Sequence, residues 1–294
     1  MATQDNSHGI WRKLPVWLRA IVSGLLIGIV AANLWPALLI ALGAPLGATV
    51  EILFLLLYLW WASGRGPTRG SQAARAVAFR RGSLTGRQWL WALVAAFFFA
   101  VMVHAAVVLL FRFVPFPLSA FRRGYDLPHG ANIPVKWLIV VVSAASAGIC
   151  EETGFRGYMQ RPLETRYSPR AAILISAFFF TIVHLNKGWE LAGMVLITFG
   201  AGILLGLMAW SSGSLIPGMV GHTLMDIGLF AYWWTGIAGT FRARPISETG
   251  VDASFLLACA ALAVSLSIVL LVIRNFRRQA LVGPRQQQIS VAGV

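Results

Sequence analysis

Apolar runs of about twenty residues recur along the whole sequence, and they constrain the possible folds more than any other feature. A helix of about 20 apolar residues spans the hydrocarbon core of a bilayer, and in lipid only helices or closed barrels satisfy every backbone hydrogen bond. We therefore predict an all-α fold, a polytopic transmembrane helical bundle that forms a single integral membrane domain over residues 1–294. The candidate spans number about eight and lie near residues 20–42, 47–63, 88–111, 135–160, 170–186, 190–210, 213–234 and 253–273.

The composition agrees with a membrane protein and disfavours a soluble one. Hydrophobic residues make up 58% of the chain and charged residues 12%, whereas a typical soluble domain is about 25% charged. The formal net charge of +14 would suggest nucleic-acid binding in a soluble protein. Here the basic residues cluster between the apolar runs, so membrane topology explains them better and no nucleic-acid partner is expected. Membrane lipids are the expected surroundings.

The distribution of the basic residues predicts an orientation. Eight spans place both termini on the same side, and most of the 24 Lys and Arg residues lie in segments assigned to that side. We therefore predict a multi-pass protein of the cell membrane with both termini in the cytoplasm. The Gly/Arg-rich stretch from Gly64 to Arg87 is the clearest linker, and we expect part of it, Ala73 to Arg81, to lie on the membrane surface as a basic helix.

The few ionisable residues inside spans are concentrated, and such residues indicate function because they are costly in lipid. Glu151, Glu152, His184, His222 and Asp226 fall on the fourth, fifth and seventh predicted spans. Glu152 and the following Arg at position 156 are four residues apart, so we expect them to pair, which leaves Glu151 available to act. His222 and Asp226 are also four apart, and a carboxylate at that offset can orient an imidazole.

A depth argument brings two of these spans together. If the fourth and fifth spans form a hairpin that turns near Tyr167 and Ser168, Glu151 and His184 each lie about 16 residues, or roughly 25 Å, from the turn. The two side chains are then level and can meet across the helix pair. Since His222 lies near the middle of the seventh span, three helices can supply one buried polar site.

These residues resemble the motifs of a known family. The sequence reads EETGFR at 151–156, FTIVH at 180–184 and HTLMD at 222–226. The CPBP family of CAAX prenyl endopeptidases and bacteriocin-processing proteins, which are intramembrane glutamate proteases, has the motifs E-E-x-x-x-R, F-x-x-x-H and H-x-x-x-N/D. The resemblance covers about residues 135–235 as a catalytic core. It implies an intramembrane endopeptidase that hydrolyses a peptide bond of a membrane-associated protein or peptide, without a cofactor.

The resemblance also implies roles for the residues. Glu151 would be the general base that activates water, assisted by His184, while Glu152 and Arg156 would support the site. His222 and the residue at position 226 would hold the oxyanion of the tetrahedral intermediate. The prenyl-processing members carry Asn at this last position, where the present chain has Asp226. An ionised Asp cannot donate a hydrogen bond, so Asp226 is either protonated or orients His222. We favour the second interpretation, and a prenylated substrate is not implied.

Two alternatives stay open at this point. A metal-dependent membrane hydrolase could bind zinc through oxygen and nitrogen ligands, although the compact H-E-x-x-H motif is missing. A non-catalytic membrane scaffold, immunity protein or transporter could have kept the same polar groups. The ligands of the metal alternative would be Glu151, Glu152, His184, His222 and Asp226.

Overall fold

A computed structural model describes residues 11–291 apart from 12, 81, 123–126, 129, 186–192 and 243. The described part is built of helices and contains no strand, which confirms the predicted all-α membrane bundle. The principal α-helices are α1 Val16–Leu25, α2 Leu34–Leu42, α3 Ala44–Ala62, α4 Gln72–Ala78, α5 Gly86–Phe113, α6 Leu118–Arg122, α7 Ile133–Glu151, α8 Gln160–Arg166, α9 Pro169–His184, α10 Met194–Ser212, α11 Ile216–Gly228, α12 Ile246–Thr249 and α13 Ala253–Val291. Three π-helices continue α1, α7 and α11, at Leu26–Val30, Glu152–Met159 and Leu229–Trp234.

Five of the described helices are long and apolar enough to cross a membrane, and they correspond to predicted spans two, three, four, six and eight. Their bounds are Ala44–Ala62, Gly86–Phe113, Ile133–Arg166, Met194–Ser212 and Ala253–Gln279. Predicted spans one and five correspond to the shorter apolar helices Val16–Val30 and Pro169–His184. Predicted span seven corresponds to Ile216–Trp234, whose last turns are π-helical.

The first predicted span, 20–42, is not one continuous helix. The chain turns at Asn33 and then forms the separate helix α2, which packs against α3 after the turn at Gly43. A Cβ atom on Gly47 would lie 2.8 Å from the carbonyl oxygen of Leu38. Glycine therefore lets α2 and α3 approach closely, and Pro36 within the run indicates a kink or an early stop of this span.

A helical hairpin carries Glu151, Glu152 and His184. One arm consists of α7, its π-helix and α8, and the other arm is α9. Asn132 caps α7 by accepting a hydrogen bond from the backbone of Val135 at 3.0 Å, and Ser168 caps α9 by accepting from Ala171 at 3.2 Å. The turn lies between Arg166 and Pro169, as the depth argument assumed. Side-chain caps at these two positions satisfy backbone donors at the helix starts.

Helix α1 lies directly against the π-helix that follows α7. A Cβ atom on Gly154 would come within 2.5 Å of the carbonyl oxygen of Gly24 and of the Cα atom of Gly28. Backbones can approach this closely in a membrane only where side chains are absent. The small residues therefore fix the distance between the first helix and the segment that carries the first sequence motif.

The segment between α3 and α5 contains part of the predicted basic helix, but two of its arginines face the protein. Helix α4 does form, but Arg75 and Arg80 are only 3% and 7% exposed. Arg75 donates to the carbonyl oxygen of Pro67 at 2.6 Å, to the hydroxyl of Ser71 at 3.1 Å and to the carbonyl of Trp61. Its guanidinium thus satisfies carbonyl groups at the end of α3 instead of facing lipid headgroups.

Contacts between helix ends define two ends of the bundle. At one end the hydroxyl of Tyr158 donates to the carbonyl of Ala62 at 3.1 Å, and at the other Arg112 pairs with Asp252 at 3.1 Å. The first end includes the start of α1, the 64–85 segment, the α8–α9 turn and Arg277 on α13, which stacks over Trp210.

The side of the membrane that this first end faces stays a prediction, and the terminal residues 1–10 and 292–294 lie outside the described part. The single-domain boundary 1–294 is likewise still a prediction.

Candidate active site

The four predicted catalytic residues line one cavity of about 250 Å³ inside the bundle. Its walls are otherwise mainly apolar and come from α1, α5, α7, α9, α10 and α11 with their π-helical continuations. The ionisable residues that line it are Glu151, His184, His222 and Asp226. Three helices therefore supply one buried polar site, as the depth argument predicted.

Glu151 faces both histidines across the cavity. Its Oε2 atom lies 3.8 Å from Nε2 of His184 and 3.9 Å from Nε2 of His222. The side chains of Glu151 and His184 are 13% and 24% exposed, so these two groups can be reached from the cavity. Both separations are longer than a direct hydrogen bond.

The backbone of its own helix fixes the ring of His184. Nδ1 lies 2.7 Å from the carbonyl oxygen of Phe180. Since a carbonyl can only accept, we assign the hydrogen to Nδ1, which leaves Nε2 directed toward Glu151. The Phe180 ring packs against His184 and His222 at centroid distances of 4.6 and 5.8 Å, and the guanidinium of Arg156 lies 4.3 Å above it. The F-x-x-x-H spacing thus supplies both the acceptor and the packing surface for the histidine.

Glu152 forms the centre of a fully buried network. Its Oε1 atom accepts hydrogen bonds from Nη1 of Arg156 at 2.8 Å and from Nδ1 of His222 at 3.0 Å. Arg156 also donates through Nη2 to the carbonyl of Gly202 at 3.2 Å. The predicted pair between Glu152 and Arg156 is present, with both side chains fully buried.

The bond between Glu152 and His222 was missed by the sequence reasoning. Asp226 lies at the opposite ring nitrogen, with Oδ2 3.5 Å from Nε2 of His222. Glu152, not Asp226, is therefore the residue that holds Nδ1 and sets the tautomer of this ring. Seventy positions separate the two residues, and no local spacing could have revealed their contact.

A glycine makes room for the Glu152 carboxylate. A Cβ atom on Gly218 would lie 2.7 Å from Oε2 of Glu152. In addition, the junction between α7 and its π-helix falls between Glu151 and Glu152. Adjacent carboxylates can then serve different parts of the site, and π-helical insertions of this kind are frequent at functional sites.

A comparison with known families decides the assignment. Residues 133–228 match the family described as type II CAAX prenyl endopeptidase, Rce1-like. Residues 133–228, which we call the CPBP domain, are thus similar to the proteases of the CPBP family. The match begins at the first residue of α7, ends at the last residue of α11 and contains all seven residues of the three motifs. No curated protein and no solved structure matches the chain.

At the level of the family, the CPBP domain is therefore similar to CAAX-type membrane endopeptidases. The matched segment is about a third of the 294 residues. It holds the hairpin, α10 and α11, while α1 and α5 add walls to the cavity from outside it. The catalytic roles of individual residues are not given by the match.

The polar groups of the CPBP domain do not fit the zinc alternative. Within the described ranges, no three His, Cys, Asp or Glu side chains are placed to hold one metal ion. Glu152 is already bonded to Arg156 and His222. A carboxylate held by a guanidinium is a poor candidate for a metal ligand, so no step of the chemistry is routed through a metal.

His104 lies outside the CPBP domain but contacts α11 and its π-helical continuation. Its Nδ1 atom accepts a hydrogen bond from the indole of Trp233 at 3.0 Å. A Cβ atom on Gly228 would lie 2.3 Å from the other ring nitrogen, Nε2, so the imidazole packs directly against the α11 backbone. These contacts hold α5 against the end of α11.

Proposed function

We propose that the CPBP domain hydrolyses a peptide bond of a membrane-associated protein or peptide with a water molecule activated by Glu151. The observation that carries the proposal is the position of Glu151, whose Oε2 faces Nε2 of His184 at 3.8 Å and Nε2 of His222 at 3.9 Å. Polar groups separated by slightly more than a hydrogen bond commonly share a bridging water. A water between them would lie within reach of a base and two ring nitrogens.

The first step follows from this arrangement. Glu151 takes a proton from the water as the oxygen attacks the carbonyl carbon of the scissile bond. His184 holds its Nδ1 hydrogen on the Phe180 carbonyl, so its Nε2 can accept a hydrogen bond from the same water and orient it. The proton taken by Glu151 is then available for the leaving amine.

The second requirement is stabilisation of the oxyanion. His222 is fixed by the bond from Nδ1 to Glu152, and its Nε2 points toward Glu151 and Asp226. When the ring carries a hydrogen on both nitrogens, Nε2 can donate to the negative oxygen of the tetrahedral intermediate. Oδ2 of Asp226 lies 3.5 Å from this nitrogen. It can accept the N–H before the oxyanion forms, and so hold the ring in the orientation that the oxyanion needs.

The cavity suits a peptide segment presented from within the membrane. Apolar side chains form most of its wall, and the reacting groups lie at one side of it. A substrate with an apolar or membrane-anchored segment would bury that part against the wall, while the scissile bond meets Glu151. The departure at Asp226 leaves prenylation of the substrate outside the proposal.

The test compares peptide termini in membranes that contain the wild type, Glu151→Gln or Glu248→Gln. Glu248 lies exposed on the short helix α12, so its replacement is a matched control for loss of one carboxylate. We expect new peptide termini with the wild type and the control, and none with Glu151→Gln. Termini that appear equally with all three proteins would show that the glutamate mechanism is wrong.

We also propose that the protein lies in the cell membrane and that the first end of the bundle, which includes the linker and the α8–α9 turn, faces the cytoplasm. The exposed arginines of the linker, the α8–α9 turn and α13 lie at that end, which supports the positive-inside assignment. Reporter fusions at residue 294 and within 64–87 should both read cytoplasmic. An external signal from either fusion would reverse the orientation.

A further inference from the structure

Arg80 is a buried cation in the segment between α4 and α5, and the proposed reaction does not use it. Its φ angle is 50°, in the left-handed region that non-glycine residues rarely adopt. The unusual backbone directs its side chain into the bundle, where the side chain is 3% exposed. Burial lowers the pKa of the guanidinium, and the carboxylate of Glu164 opposes that shift.

The first contact of Arg80 is with the π-helix of the CPBP domain. Its Nε atom donates to the backbone carbonyl of Arg156 at 3.1 Å. The backbone just before Arg80 also touches this π-helix, since a Cβ atom on Gly157 would lie 2.9 Å from the carbonyl oxygen of Ala78. A π-helix is a rare conformation, so contacts from outside help to hold it.

The second contact is with α8, which continues the same helix. Nη2 of Arg80 pairs with Oε1 of Glu164 at 2.5 Å. The same oxygen accepts from Nε2 of Gln160 at 2.8 Å, and that nitrogen also donates to the carbonyl of Gly206 at 3.0 Å. Arg80 thus bridges two levels of one helix, and Gln160 extends the network to α10.

These contacts connect Arg80 with the site. The residue whose carbonyl it binds, Arg156, is the residue whose side chain holds Glu152, and Glu152 in turn holds Nδ1 of His222. Each link is a hydrogen bond between buried groups. A shift of the π-helix backbone at Arg156 would therefore move the ring of His222.

We propose that Arg80 is a positioning residue: it fixes the backbone of the π-helix at Arg156 and, through Arg156 and Glu152, the orientation of His222. Its effect on catalysis rests on the proposed function, whereas its effect on His222 does not. The linker segment thus holds in place the helix that carries Glu151 and Glu152, from the end of the bundle that includes the α8–α9 turn.

Arg75 provides a matched control. It lies on α4, is buried to a similar extent, and donates to carbonyl groups as Arg80 does. Its hydrogen-bond partners Trp61, Pro67 and Ser71, however, lie within the linker and at the end of α3. An Arg→Lys change keeps the charge at either position but removes the planar fork that serves two acceptors at once.

The experiment uses the full chain in lipid nanodiscs with ¹⁵N-labelled histidine. The ring signals of His222 are assigned by their loss in His222→Gln. We expect Arg80→Lys to shift the Nδ1 signal of His222 and Arg75→Lys to leave it unchanged. Glu164→Gln leaves the Arg80 residue unchanged but removes the charge of its partner. It should shift the signal in the same direction but less. An unchanged signal in Arg80→Lys, or the same shift in Arg75→Lys, would overturn the positioning role.

Membranes carrying the same variants give the second readout. The rate at which Glu151-dependent termini appear should fall roughly tenfold in Arg80→Lys, because small displacements of catalytic groups are costly, and should change little in Arg75→Lys. An equal fall in both variants would reduce Arg80 to a structural role. If the wild type produces no Glu151-dependent termini, the proposed function fails, while the nanodisc measurement still decides the role of Arg80.

Discussion

The two sides of the helix that runs from α7 into α8 differ in how they hold charged groups. On the cavity side, Glu151, His184, His222 and Asp226 are separated by 3.5 to 3.9 Å. On the buried side, the contacts of Glu152, Arg156 and Glu164 with their partners are 2.5 to 3.3 Å long. The groups on the cavity side face a cavity of about 250 Å³, whereas the ion pairs Arg156–Glu152 and Arg80–Glu164 on the other side are enclosed by protein.

The difference reflects what a charge needs in a region of low dielectric. A buried ion without close partners is strongly destabilising, so Glu152 and Arg156 must be paired and hydrogen-bonded. Groups that react must instead be able to exchange partners as a proton moves. Neighbouring residues in the sequence, Glu151 and Glu152, therefore have opposite surroundings, and substitutions should separate their effects.

The largest expected effect is the loss of activity in Glu151→Gln. The amide keeps the size of the side chain but cannot take the proton from water, so the rate of cleavage should fall by at least about 100-fold. Thermal unfolding in detergent should remain near that of the wild type, because this carboxylate lies on the open side. Turnover close to the wild-type level on a confirmed substrate would exclude Glu151 as the base.

The next largest effect should be a loss of stability in Glu152→Gln. This change leaves the charge of Arg156 buried without its carboxylate, which should cost on the order of 3 kcal/mol of unfolding free energy. Activity should fall as well, since the amide holds Nδ1 of His222 less firmly. Chemical denaturation of both Glu variants side by side measures the difference, and the opposite order of stability would interchange the two assignments.

Gly218→Ala should lower stability by adding a single methyl group next to the buried carboxylate of Glu152. Its Cβ would lie 2.7 Å from Oε2 of Glu152, so the carboxylate or the helix must shift, at about 1–3 kcal/mol. Gly221→Ala on the same helix is the control, because its Cβ would meet its nearest neighbour at an ordinary 3.4 Å. Thermal midpoints and cleavage rates of the two variants should differ. Equal effects would mean that helix packing in general, not Glu152, is sensitive.

The smallest effect is expected for Asp226→Asn. Asn can still accept a hydrogen bond from Nε2 of His222, so the variant should keep appreciable activity, while Asp226→Leu should lose much more. Rates of appearance of the Glu151-dependent termini measure the contrast. Complete loss in both variants would show that the negative charge itself is required on the cavity side.

Local spacing was enough to predict part of the site. The four-residue offset predicted the pair of Glu152 with Arg156, and the equal distance from the turn predicted that Glu151 and His184 meet. Both inferences depend only on helix geometry and on the Tyr167–Ser168 turn, whose caps and proline are visible in the sequence. The apolar runs likewise predicted the helical membrane bundle.

Other features could not be predicted from spacing. The basic composition of 64–87 suggested a helix on the membrane surface, but the carbonyl groups at the end of α3 and the carboxylate of Glu164 draw Arg75 and Arg80 inward. A charged side chain is buried when distant partners compensate its desolvation, and those partners come from other parts of the chain. The break in the first predicted span is indicated by Pro36, but its place at Asn33 and the packing of α2 against α3 come from the tertiary structure.

The sequence by itself therefore determined the helices, the pairs within each helix and the depth of the motif residues, because these follow from the rise and period of a helix and from the length of a bilayer-spanning run. Only the tertiary structure decided that Glu152 holds His222, that Asp226 lies at the other ring nitrogen and that Arg80 reaches the π-helix. These contacts join residues that are distant in sequence. They depend on how closely helices approach, which glycines such as Gly218 set through the space they leave.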